Sequence, residues 1–372
     1  MKRVLITGGA GFIGSHTADA LLRKGYQVRV LDILDPQIHG PERKKPAYLD
    51  PRVELFTGDV RDRADVTRAV AGMDAICHFA SQTGVGQSMY AIQGYCDVNI
   101  NGTAMLLDVL ANTPHQVKKI VLSSSRAVYG EGAYLCEKCG TVYPPPRTRE
   151  QLERHHWQIC CAACGRDLLP VATDENKPLA PLSVYALTKR VQEDLLRMFA
   201  ETYRLPFVIL RYFNVYGPRQ AINNPYTGIG AIFTNRVLSG HDLIIYEDGE
   251  QGRDFVHVRD VVQANLLALE NDGAENGTFN VGTGDRLTVL DLAKLIRERL
   301  DSPAGLKFTD QFRLGDIRDC YADLSRSRQV LGFNPDVTFA SGVAELISWA
   351  RGEHVEDRFA EAETALRARK LL

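Results

Sequence analysis

Residues 4–14 read Val-Leu-Ile-Thr-Gly-Gly-Ala-Gly-Phe-Ile-Gly, and this stretch decides the fold class. Its apolar start predicts a buried strand, and a helix-length segment, Ser15–Lys24, follows the last glycine. Glycines between a strand and a helix allow a tight turn, a close approach of a pyrophosphate and close packing of the helix. Phosphates also bind well at a helix N-terminus, where backbone amides are unpaired. The stretch therefore predicts a dinucleotide site formed by Gly8, Gly11, Phe12, Ile13 and Gly14.

Two acidic residues follow the next predicted strands. Asp32 lies 18 residues after Gly14, where a carboxylate can accept hydrogen bonds from the adenosine ribose hydroxyls. A 2′-phosphate would be repelled there, so the sequence favours NAD over NADP. Asp59 and its neighbour Val60 are interpreted as adenine contacts, and an ordinary turn residue is the alternative for Asp59.

The rest of the first half alternates strand-like runs with polar, helix-length stretches. The runs are Val4–Thr7, Val28–Leu31, Val53–Phe56, Ala75–Phe79, Ile120–Ser123 and Val208–Arg211. This βαβ pattern predicts an α/β fold with a Rossmann-type, doubly wound parallel sheet. Later in the chain we expect strands at Leu243–Tyr246 and Thr278–Val281, and helices at Val261–Glu270 and Val289–Leu300.

Two domains follow from this pattern. We expect an NAD-binding domain over residues 1–213, interrupted by an insertion at 132–172. A smaller C-terminal α/β substrate domain is expected over 214–372, with part of 253–282 returning to the first domain. A chain of 372 residues is long enough for both cores.

The composition is ordinary for a globular protein, with 45% hydrophobic and 24% charged residues and a net charge of -2. This balance offers no electrostatic reason to bind nucleic acid or an anionic membrane. No run approaches the roughly 18 consecutive apolar residues of a membrane helix. The basic start passes at once into glycines and has no signal-peptide cleavage site. We expect a cytoplasmic protein that acts on small molecules.

Tyr185 and Lys189 form a candidate catalytic pair. They stand four residues apart at the start of a predicted helix, Val184–Tyr203, which places both side chains on one face. Tyrosine is a weak base at neutral pH, but a neighbouring ammonium group and a positive nicotinamide stabilise its phenolate. Ser125, at the end of a predicted parallel strand, is placed to hydrogen-bond the same substrate oxygen. The plainer alternatives are a half-buried tyrosine beside a solvated lysine, and a serine that only caps a turn.

Taken together, these motifs resemble one family, the extended short-chain dehydrogenase/reductases that act on nucleotide sugars with NAD. The resemblance covers nearly the whole chain except the insertion, and the motifs are specific as a set. Besides the glycine run, Ser125, Tyr185 and Lys189, it rests on His78-Phe79-Ala80, Asn99 with Gly102-Thr103, Arg211-Tyr212-Phe213-Asn214, Arg253-Asp254-Phe255 and Arg313-Leu314-Gly315-Asp316.

The resemblance implies an epimerase mechanism and a set of binding residues. Tyr185 would take the proton of a sugar hydroxyl, at C4, while the hydride on that carbon passes to NAD and later returns to the other face of the 4-keto sugar. Cofactor contacts are implied at Phe79, Ala80, Asn99, Ser123, Tyr185, Lys189 and Tyr212. Substrate contacts are implied at Ser125, Arg126, Asn214, Arg253, Arg313 and Asp316. A surface salt bridge is the alternative for either Arg253 or Arg313. A homodimer is implied too, because similar enzymes pair through two long helices per subunit.

The residues after Ser125 help to separate neighbouring reactions. Similar 4,6-dehydratases carry an Asp-Glu pair there because they must also eliminate water, whereas this chain has Arg126 and Ala127. Epimerisation is therefore favoured. Finer matches at 85–90, 217–220, 224–228 and 246–249 resemble the dTDP-L-rhamnose 4-epimerases, which interconvert dTDP-L-rhamnose and dTDP-6-deoxy-L-talose.

Other functions stay open. Cys320 is a small residue where related UDP-galactose 4-epimerases limit the sugar pocket, so UDP-hexoses or UDP-N-acetylhexosamines remain alternative substrates. An NAD-coupled sugar-nucleotide oxidoreductase or dehydratase is the enzymatic alternative. An NAD-sensing scaffold is the non-enzymatic one, although we expect such a protein to have lost Tyr185 or Lys189, and both are present.

The insertion contains two CxxCG knuckles that are separated by 21 residues. This spacing is close to that of a structural zinc site, in which four thiolates leave no open position for substrate. We expect a zinc ribbon held by Cys136, Cys139, Cys161 and Cys164, with Cys160, His155 or His156 as alternative ligands. Residues 136–170 carry five basic and four acidic side chains, which does not favour a nucleic-acid-binding ribbon. We hypothesise that the ribbon helps to wall the sugar site.

Overall fold

The helices and strands are taken from a computed structural model that describes residues 2–372, so that Met1 lies outside the described residues. The strands are β1 (Arg3–Thr7), β2 (Gln27–Asp32), β3 (Glu54–Thr57), β4 (Ala75–His78), β5 (Lys119–Ser125), β6 (Ala133–Cys136), β7 (Gly140–Val142), β8 (Leu169–Val171), β9 (Phe207–Tyr212), β10 (Asn214–Tyr216), β11 (Leu243–Tyr246), β12 (Gly252–Arg253), β13 (Phe255–His257), β14 (Gly277–Val281), β15 (Leu287–Thr288), β16 (Leu306–Thr309) and β17 (Asp319–Cys320). The α-helices are α1 (Phe12–Arg23), α2 (Pro36–His39), α3 (Arg63–Val70), α4 (Val85–Ser88), α5 (Ile92–Tyr95), α6 (Gly102–Asn112), α7 (Arg149–Glu153), α8 (Val184–Tyr203), α9 (Ile229–Leu238), α10 (Val258–Glu270), α11 (Val289–Arg299), α12 (Phe339–Ala350) and α13 (Phe359–Arg367).

Seven parallel strands form the central sheet, in the order β14-β9-β5-β4-β1-β2-β3. All the strands predicted in the first half lie in it, with bounds that differ by one or two residues. The direction of strand order changes between β1 and β4, which leaves a crevice at the carboxyl ends of these strands. The prediction of a Rossmann-type parallel sheet is confirmed.

Helices cover both faces of the sheet because both faces are apolar. Successive side chains of β1 point to opposite sides, so that Ile6 joins one core and Leu5 the other. On the first side α1 and α10 contribute Leu21 and Val261. On the second side α3, α6 and α8 pack together, with Leu106 among the buried residues. Within residues 2–372, no helix combines the length and the apolar character that crossing a bilayer requires.

The later part of the chain contributes to two cores. β14 pairs with β9 at the edge of the central sheet, and α10 packs against α1. The helices α9, α11 and α12 and the small β11–β16 sheet surround a separate core that includes Phe233, Leu292 and Val343. We call the central sheet with its helices the first unit, and the part around this separate core the second unit. The chain passes from the second unit back to the first before it ends in the second.

Residues 132–172 leave the sheet after β5 and rejoin the fold before α8. Here β6 pairs antiparallel with both β7 and β8. A small core of its own includes Tyr134, Ile159 and Leu168 together with cysteines of the two knuckles. The insertion is thus a compact three-stranded module, and residues 132–172 are called the ribbon below.

Candidate active site

A continuous cavity of about 660 Å³ opens at the carboxyl ends of the central strands, and residues from both units line it. This volume is within the range of small-molecule sites. Of the predicted cofactor contacts, its wall includes Gly8, Gly11, Phe12, Ile13, Gly14, Asp32, Asp59, Val60, Phe79, Ala80, Ser123, Tyr185, Lys189 and Tyr212. Of the predicted substrate contacts, it includes Ser125, Arg126, Asn214, Arg253, Arg313 and Asp316.

The glycine turn forms one end of this cavity. Gly8 has a φ of 70°, and a β-carbon there would lie 2.8 Å from the backbone of Ala80. A β-carbon on Gly14 would lie 2.5 Å from the carbonyl oxygen of Gly8. The N-cap of α1 is Gly11, which has no side chain to bind the first amides of the helix. These amides stay free for an anion, so the turn fits the pyrophosphate of a dinucleotide.

Asp32 lies at the end of β2, next to the glycine turn, and is only 9% exposed. Its carboxylate accepts hydrogen bonds from the N–H groups of Ala10 and Leu34, both at 2.9 Å. Burial raises the pKa of Asp32, and these two hydrogen bonds oppose the shift only in part. A ribose diol in the cavity would find an acceptor here.

Asp59 and Asn99, two of the predicted cofactor contacts, bind other residues of the chain through their side chains. Arg61 binds both carboxylate oxygens of Asp59, as the turn-residue alternative anticipates. Asn99 belongs to a π-helical segment, Cys96–Asn101, and does not line the cavity. Its amide instead accepts from the Gln82 N–H at 2.8 Å and donates to the Gln82 carbonyl oxygen at 3.1 Å. Asn99 therefore holds Gln82, a residue of the wall, and its contact with the cofactor stays a prediction.

Tyr185, Lys189 and Ser125 meet between the two ends of the cavity. Ser183 caps α8 through a hydrogen bond from the Ala186 N–H, so the helix begins just before Tyr185. The side chains of Tyr185 and Ser125 both line the cavity at this point. One turn later, the amine of Lys189 donates to a backbone carbonyl oxygen of β5 at 2.9 Å.

Burial acts against charge on both members of the tyrosine–lysine pair. It raises the pKa of Tyr185, and the Ser125 hydroxyl and the charge of Arg126 offset this shift only in part. It lowers the pKa of Lys189 to about 7, although the carboxylate of Glu193 opposes the change. A pKa in this range suits acid–base chemistry near neutral pH.

Ser125 also serves as a helix cap. Its Oγ accepts a hydrogen bond from the Ala127 N–H at 3.1 Å and so starts a short 3₁₀ turn, Arg126–Tyr129. Ser125 therefore caps a turn, as the alternative interpretation of this residue predicts. It uses only a lone pair of the hydroxyl, so the hydroxyl hydrogen remains available to Tyr185 or to a substrate oxygen.

A buried ion pair holds α8 against the sheet. Glu193 lies one turn after Lys189 and binds the guanidinium of Arg211, on β9, at 2.7 and 3.0 Å. Ser124, on β5, donates to the same carboxylate at 2.5 Å. The helix that carries Tyr185 and Lys189 is thereby fixed to the strands that carry Ser125 and Tyr212.

The other end of the cavity is rich in positive charge. Its charged wall residues are three arginines and two acids, Arg126, Arg253, Arg313, Asp316 and Glu363. Arg253 donates to the Asp316 carboxylate at 2.8 Å, so the salt-bridge alternative holds for this pair, but inside the wall rather than on the surface. In residues 2–372, no hydrogen-bond partner is found for the buried Nε of Arg313 or Oδ1 of Asn214. Excess positive charge and unpaired polar atoms fit a diphosphate with its sugar.

The cysteines of the two knuckles come together in the ribbon. The Sγ atoms of the predicted ligands all lie within 4.8 Å of one another, and they belong to Cys136, Cys139, Cys161 and Cys164. None of the alternative ligands is part of this cluster: Cys160 contacts Asp167, and His155 stacks on Trp157, while His156 lies outside it as well. No residue of 132–172 lines the cavity, so the hypothesis that the ribbon walls the sugar site directly is wrong.

Several wall residues were not predicted as site residues. Gln220 and Gln251 line the cavity, and each has a buried side-chain oxygen without a partner in the described part of the chain. α13 lines it too, through residues such as Leu366. The spacing of Phe359, Ala362 and Leu366 could have indicated an amphipathic helix. Cys320 is buried and pairs with Arg253 of the wall, but it does not line the cavity itself.

Residues 4–167 and 160–282 match the model of an epimerase family, described as the NAD dependent epimerase/dehydratase family. The chain belongs to this family. The two matched segments overlap within the insertion, as expected for a family domain that the ribbon interrupts.

Relatives of known name support this membership. The chain is 37% identical over 354 residues to a dTDP-L-rhamnose 4-epimerase of Burkholderia thailandensis, with 95% of this chain and 96% of that protein covered. A Thermotoga maritima UDP-glucose 4-epimerase solved with UDP-glucose gives a TM-score of 0.76 at 31% identity, with 94% of this chain and 99% of that chain covered. A Thermus thermophilus UDP-glucose 4-epimerase solved with NAD gives 0.75 at 30% identity, with coverage of 95% and 100%.

These findings decide several sequence predictions. The predicted family is confirmed, and so is an enzyme of the isomerase class, because the relatives are named as sugar epimerases. NAD as the cofactor is confirmed at the level of the family. The matches include both dTDP-sugar and UDP-sugar enzymes, so they support nucleotide sugars as a class rather than one substrate.

Proposed function

We propose that this chain is an NAD-dependent nucleotide-sugar 4-epimerase whose substrates are dTDP-L-rhamnose and dTDP-6-deoxy-L-talose. One observation carries the proposal: the hydroxyl pair of Tyr185 and Ser125 lies in the wall of one cavity between a phosphate-binding glycine turn and an arginine-rich end. A sugar anchored by its diphosphate at the arginines would present a ring hydroxyl to Tyr185. The roles of the predicted site residues and the division into domains 1–213 and 214–372 belong to this proposal.

The residues of this chain then act as a proton relay and a clamp. NAD, when bound, supplies a hydride acceptor that returns the hydride within the same turnover. Tyr185 takes the proton from the sugar hydroxyl as that carbon is oxidised and gives it back when the carbon is reduced. Ser125 donates a hydrogen bond to the same oxygen, and Lys189 provides a positive neighbour for the phenolate. The arginines keep the diphosphate in place while the 4-keto sugar turns.

The choice of epimerisation over dehydration rests on the residues after Ser125. Elimination of water needs an acid and a base beside the sugar, and Arg126 and Ala127 supply neither. The Burkholderia thailandensis relative supports the rhamnose substrate, whereas the solved UDP-glucose 4-epimerases support UDP-hexoses as the second candidates.

A turnover assay with dTDP-L-rhamnose, UDP-glucose and UDP-N-acetylglucosamine tests the proposal. We expect proton NMR to show conversion of dTDP-L-rhamnose into a mixture with its C4 epimer, with no net accumulation of reduced cofactor. Stoichiometric release of reduced cofactor would instead indicate the oxidoreductase. Absence of inversion with all three compounds would refute the 4-epimerase.

We further infer that the four clustered thiolates hold one structural zinc ion. In a tetrahedral site, Zn–S bonds of about 2.3 Å place the sulfurs about 3.8 Å apart. The upper limit of 4.8 Å in the cluster, and the 3.5 Å between Cys136 and Cys164, fit such a site. All four positions are taken by sulfur, so the ion would stabilise the ribbon and take no part in the reaction.

A homodimer through α6 and α8 completes the proposal. Leu187 and Met198, on α8, are 48% and 69% exposed. They are 11 residues apart, which puts them on one stripe of the helix. α6 packs beside α8. Two copies of this helix pair would bury the stripe in a four-helix bundle.

A further inference from the structure

Arg147 joins the inserted ribbon to the second unit through a buried ion pair. Its side chain is 1% exposed, and that of its partner, Glu247, is 2% exposed. The guanidinium meets the carboxylate with two hydrogen bonds, of 2.6 and 3.0 Å. Such a bidentate pair sets orientation as well as distance. The partners are 100 residues apart in the sequence, so this contact fixes the ribbon on the second unit.

The same guanidinium reaches the loop 310–318, between β16 and β17, which carries the cavity residues Arg313 and Asp316. Its Nη2 donates to the carbonyl oxygen of Asp316 at 3.4 Å. The carboxylate of Asp316 accepts in turn from Arg253 at 2.8 Å, and both residues line the cavity. Arg147 therefore contacts the arginine-rich wall from behind.

Glu247 has a backbone conformation that needs an explanation. Its φ is 52°, in the left-handed region that favours glycine. The preceding residue, Tyr246, lies in the wall, and the guanidinium of Arg313 stands 4.8 Å from its ring centroid. A strained residue is kept when its surroundings hold it in place. Here the ion pair with Arg147 holds Glu247, and through it the ring on which Arg313 rests.

A second contact from the ribbon supports the same loop. Trp157 packs against Phe312, with ring centroids 6.4 Å apart, and Phe312 directly precedes Arg313. The ribbon thus contacts this loop at Phe312, next to Arg313, and at the carbonyl oxygen of Asp316. The catalytic residues lie on α8 and β5, which Arg147 does not contact through any hydrogen bond in residues 2–372.

We propose that Arg147 is a positioning residue, which holds Arg313 and Asp316 in the geometry that binds the nucleotide end of the substrate. The proposal rests on the nucleotide-sugar function above and adds that the ribbon sets substrate affinity rather than the rate of the chemical step.

The test compares variants of the full-length protein by calorimetry with dTDP and UDP, and by steady-state kinetics. Arg147→Met alone would leave the carboxylate of Glu247 buried without its bidentate partner. The double variant R147M/E247G removes both charges and gives the left-handed position the glycine that it favours. R147K keeps the charge but loses the bidentate geometry. R149M removes an arginine of the same module that is 53% exposed, and is the control.

We expect Kd and KM to rise about tenfold in R147M/E247G, with kcat within about twofold of the unmodified protein. R147K should show a smaller rise in both constants, and R149M none. A purely structural role would lower the melting temperature without moving Kd.

A folded R147M/E247G variant with unchanged Kd and KM, or with a loss confined to kcat, would overturn the proposal. If the double variant does not fold, an unchanged Kd in R147K overturns it equally. If the unmodified protein binds neither dTDP nor UDP, the nucleotide-sugar function itself fails, so the two failures are distinguishable.

Discussion

At the scale of single residues, the surroundings of Lys189 determine its pKa. Its side chain is buried, with the residue 3% exposed, and its amine has a carbonyl oxygen as its hydrogen-bond partner in the described chain. Burial lowers the pKa of this amine to about 7, and the carboxylate of Glu193 opposes the shift only in part. A buried lysine of this kind costs stability, and such residues are typical of functional sites.

Replacing Tyr185 by phenylalanine should remove the proton relay and little else. We expect kcat to fall by about 10²- to 10⁴-fold, because the ring stays packed on Tyr95 while the hydroxyl is lost. Bound NAD and the melting temperature should change little. Steady-state assays and cofactor absorbance check this, with Tyr203→Phe at the exposed end of the same helix as the control. Undiminished C4 inversion in the variant would refute the role of Tyr185.

The buried lysine predicts a pH-dependent difference in stability. With a folded pKa of about 7, against an ordinary lysine pKa well above that, the unfolded chain binds more protons between the two values. The free energy of unfolding of the unmodified protein should therefore rise with pH from 7 to 9, relative to Lys189→Met. The variant should be the more stable protein at pH 7, and its advantage should shrink by up to about 1.4 kcal/mol per pH unit.

Denaturant titrations of the dinucleotide-free protein at three pH values measure this difference. Lys118→Met, at an exposed position just before β5, is the matched control and should show no such trend. A stability difference between Lys189→Met and the unmodified protein that is the same at pH 7 and 9 would contradict the lowered pKa of the buried amine.

At the scale of elements, α8 presents two different faces. Tyr185, Lys189 and Glu193 follow one another at intervals of four residues and so share a face that meets the sheet. The opposite stripe is apolar and exposed at Leu187 and Met198. The same twenty residues therefore position the chemistry and offer a surface for pairing.

The ribbon should depend on its sulfur cluster. We expect Cys136→Ser to lose the metal and to lower the melting temperature of the ribbon, by ~5 °C or more. Cys160→Ser is the control, because its Sγ faces Asp167 outside the cluster. Metal analysis and thermal unfolding measure both effects. A Cys136→Ser protein that keeps one metal ion per chain and its melting temperature would disprove the proposed site.

At the scale of the whole molecule, the exposed stripe of α8 predicts a dimer. We expect light scattering to give about twice the chain mass of 41.3 kDa. Met198→Glu should shift the protein to monomers, since two carboxylates would be buried in the bundle. Leu169→Glu, at a residue of the ribbon that is 57% exposed, should leave the dimer intact. A monomeric unmodified protein would exclude the bundle.

Much of the site could be predicted from sequence because its parts are local patterns. The glycine turn and the Tyr185/Lys189 pair each lie within a few residues of one strand or helix, where spacing decides which groups share a face. Asn99 marks the limit of this reasoning. Its place in the chain was anticipated, but a hydrogen bond to Gln82, 17 residues away, decides what its amide does.

The contribution of α13 to the cavity could not be predicted in the same way. Its residues follow the last strand, β17, and show only the spacing of an amphipathic helix. That spacing does not indicate which surface the helix covers. In the structure Glu363 accepts a hydrogen bond from the Tyr246 hydroxyl at 3.3 Å, and Leu366 enters the wall. The surface that such a helix covers depends on where the preceding units have folded.

The amino-acid sequence by itself determined the parallel sheet, the glycine turn, the place of Tyr185 and Lys189 on one helix face and the grouping of the cysteines, because alternation, helical spacing and glycine geometry act over short distances. Only the tertiary structure decided that the ribbon stands behind the cavity rather than in its wall, and that Arg147 meets Glu247 across 100 residues. Pairing of buried charges depends on which surfaces are brought together and cut off from water, and no local pattern encodes that.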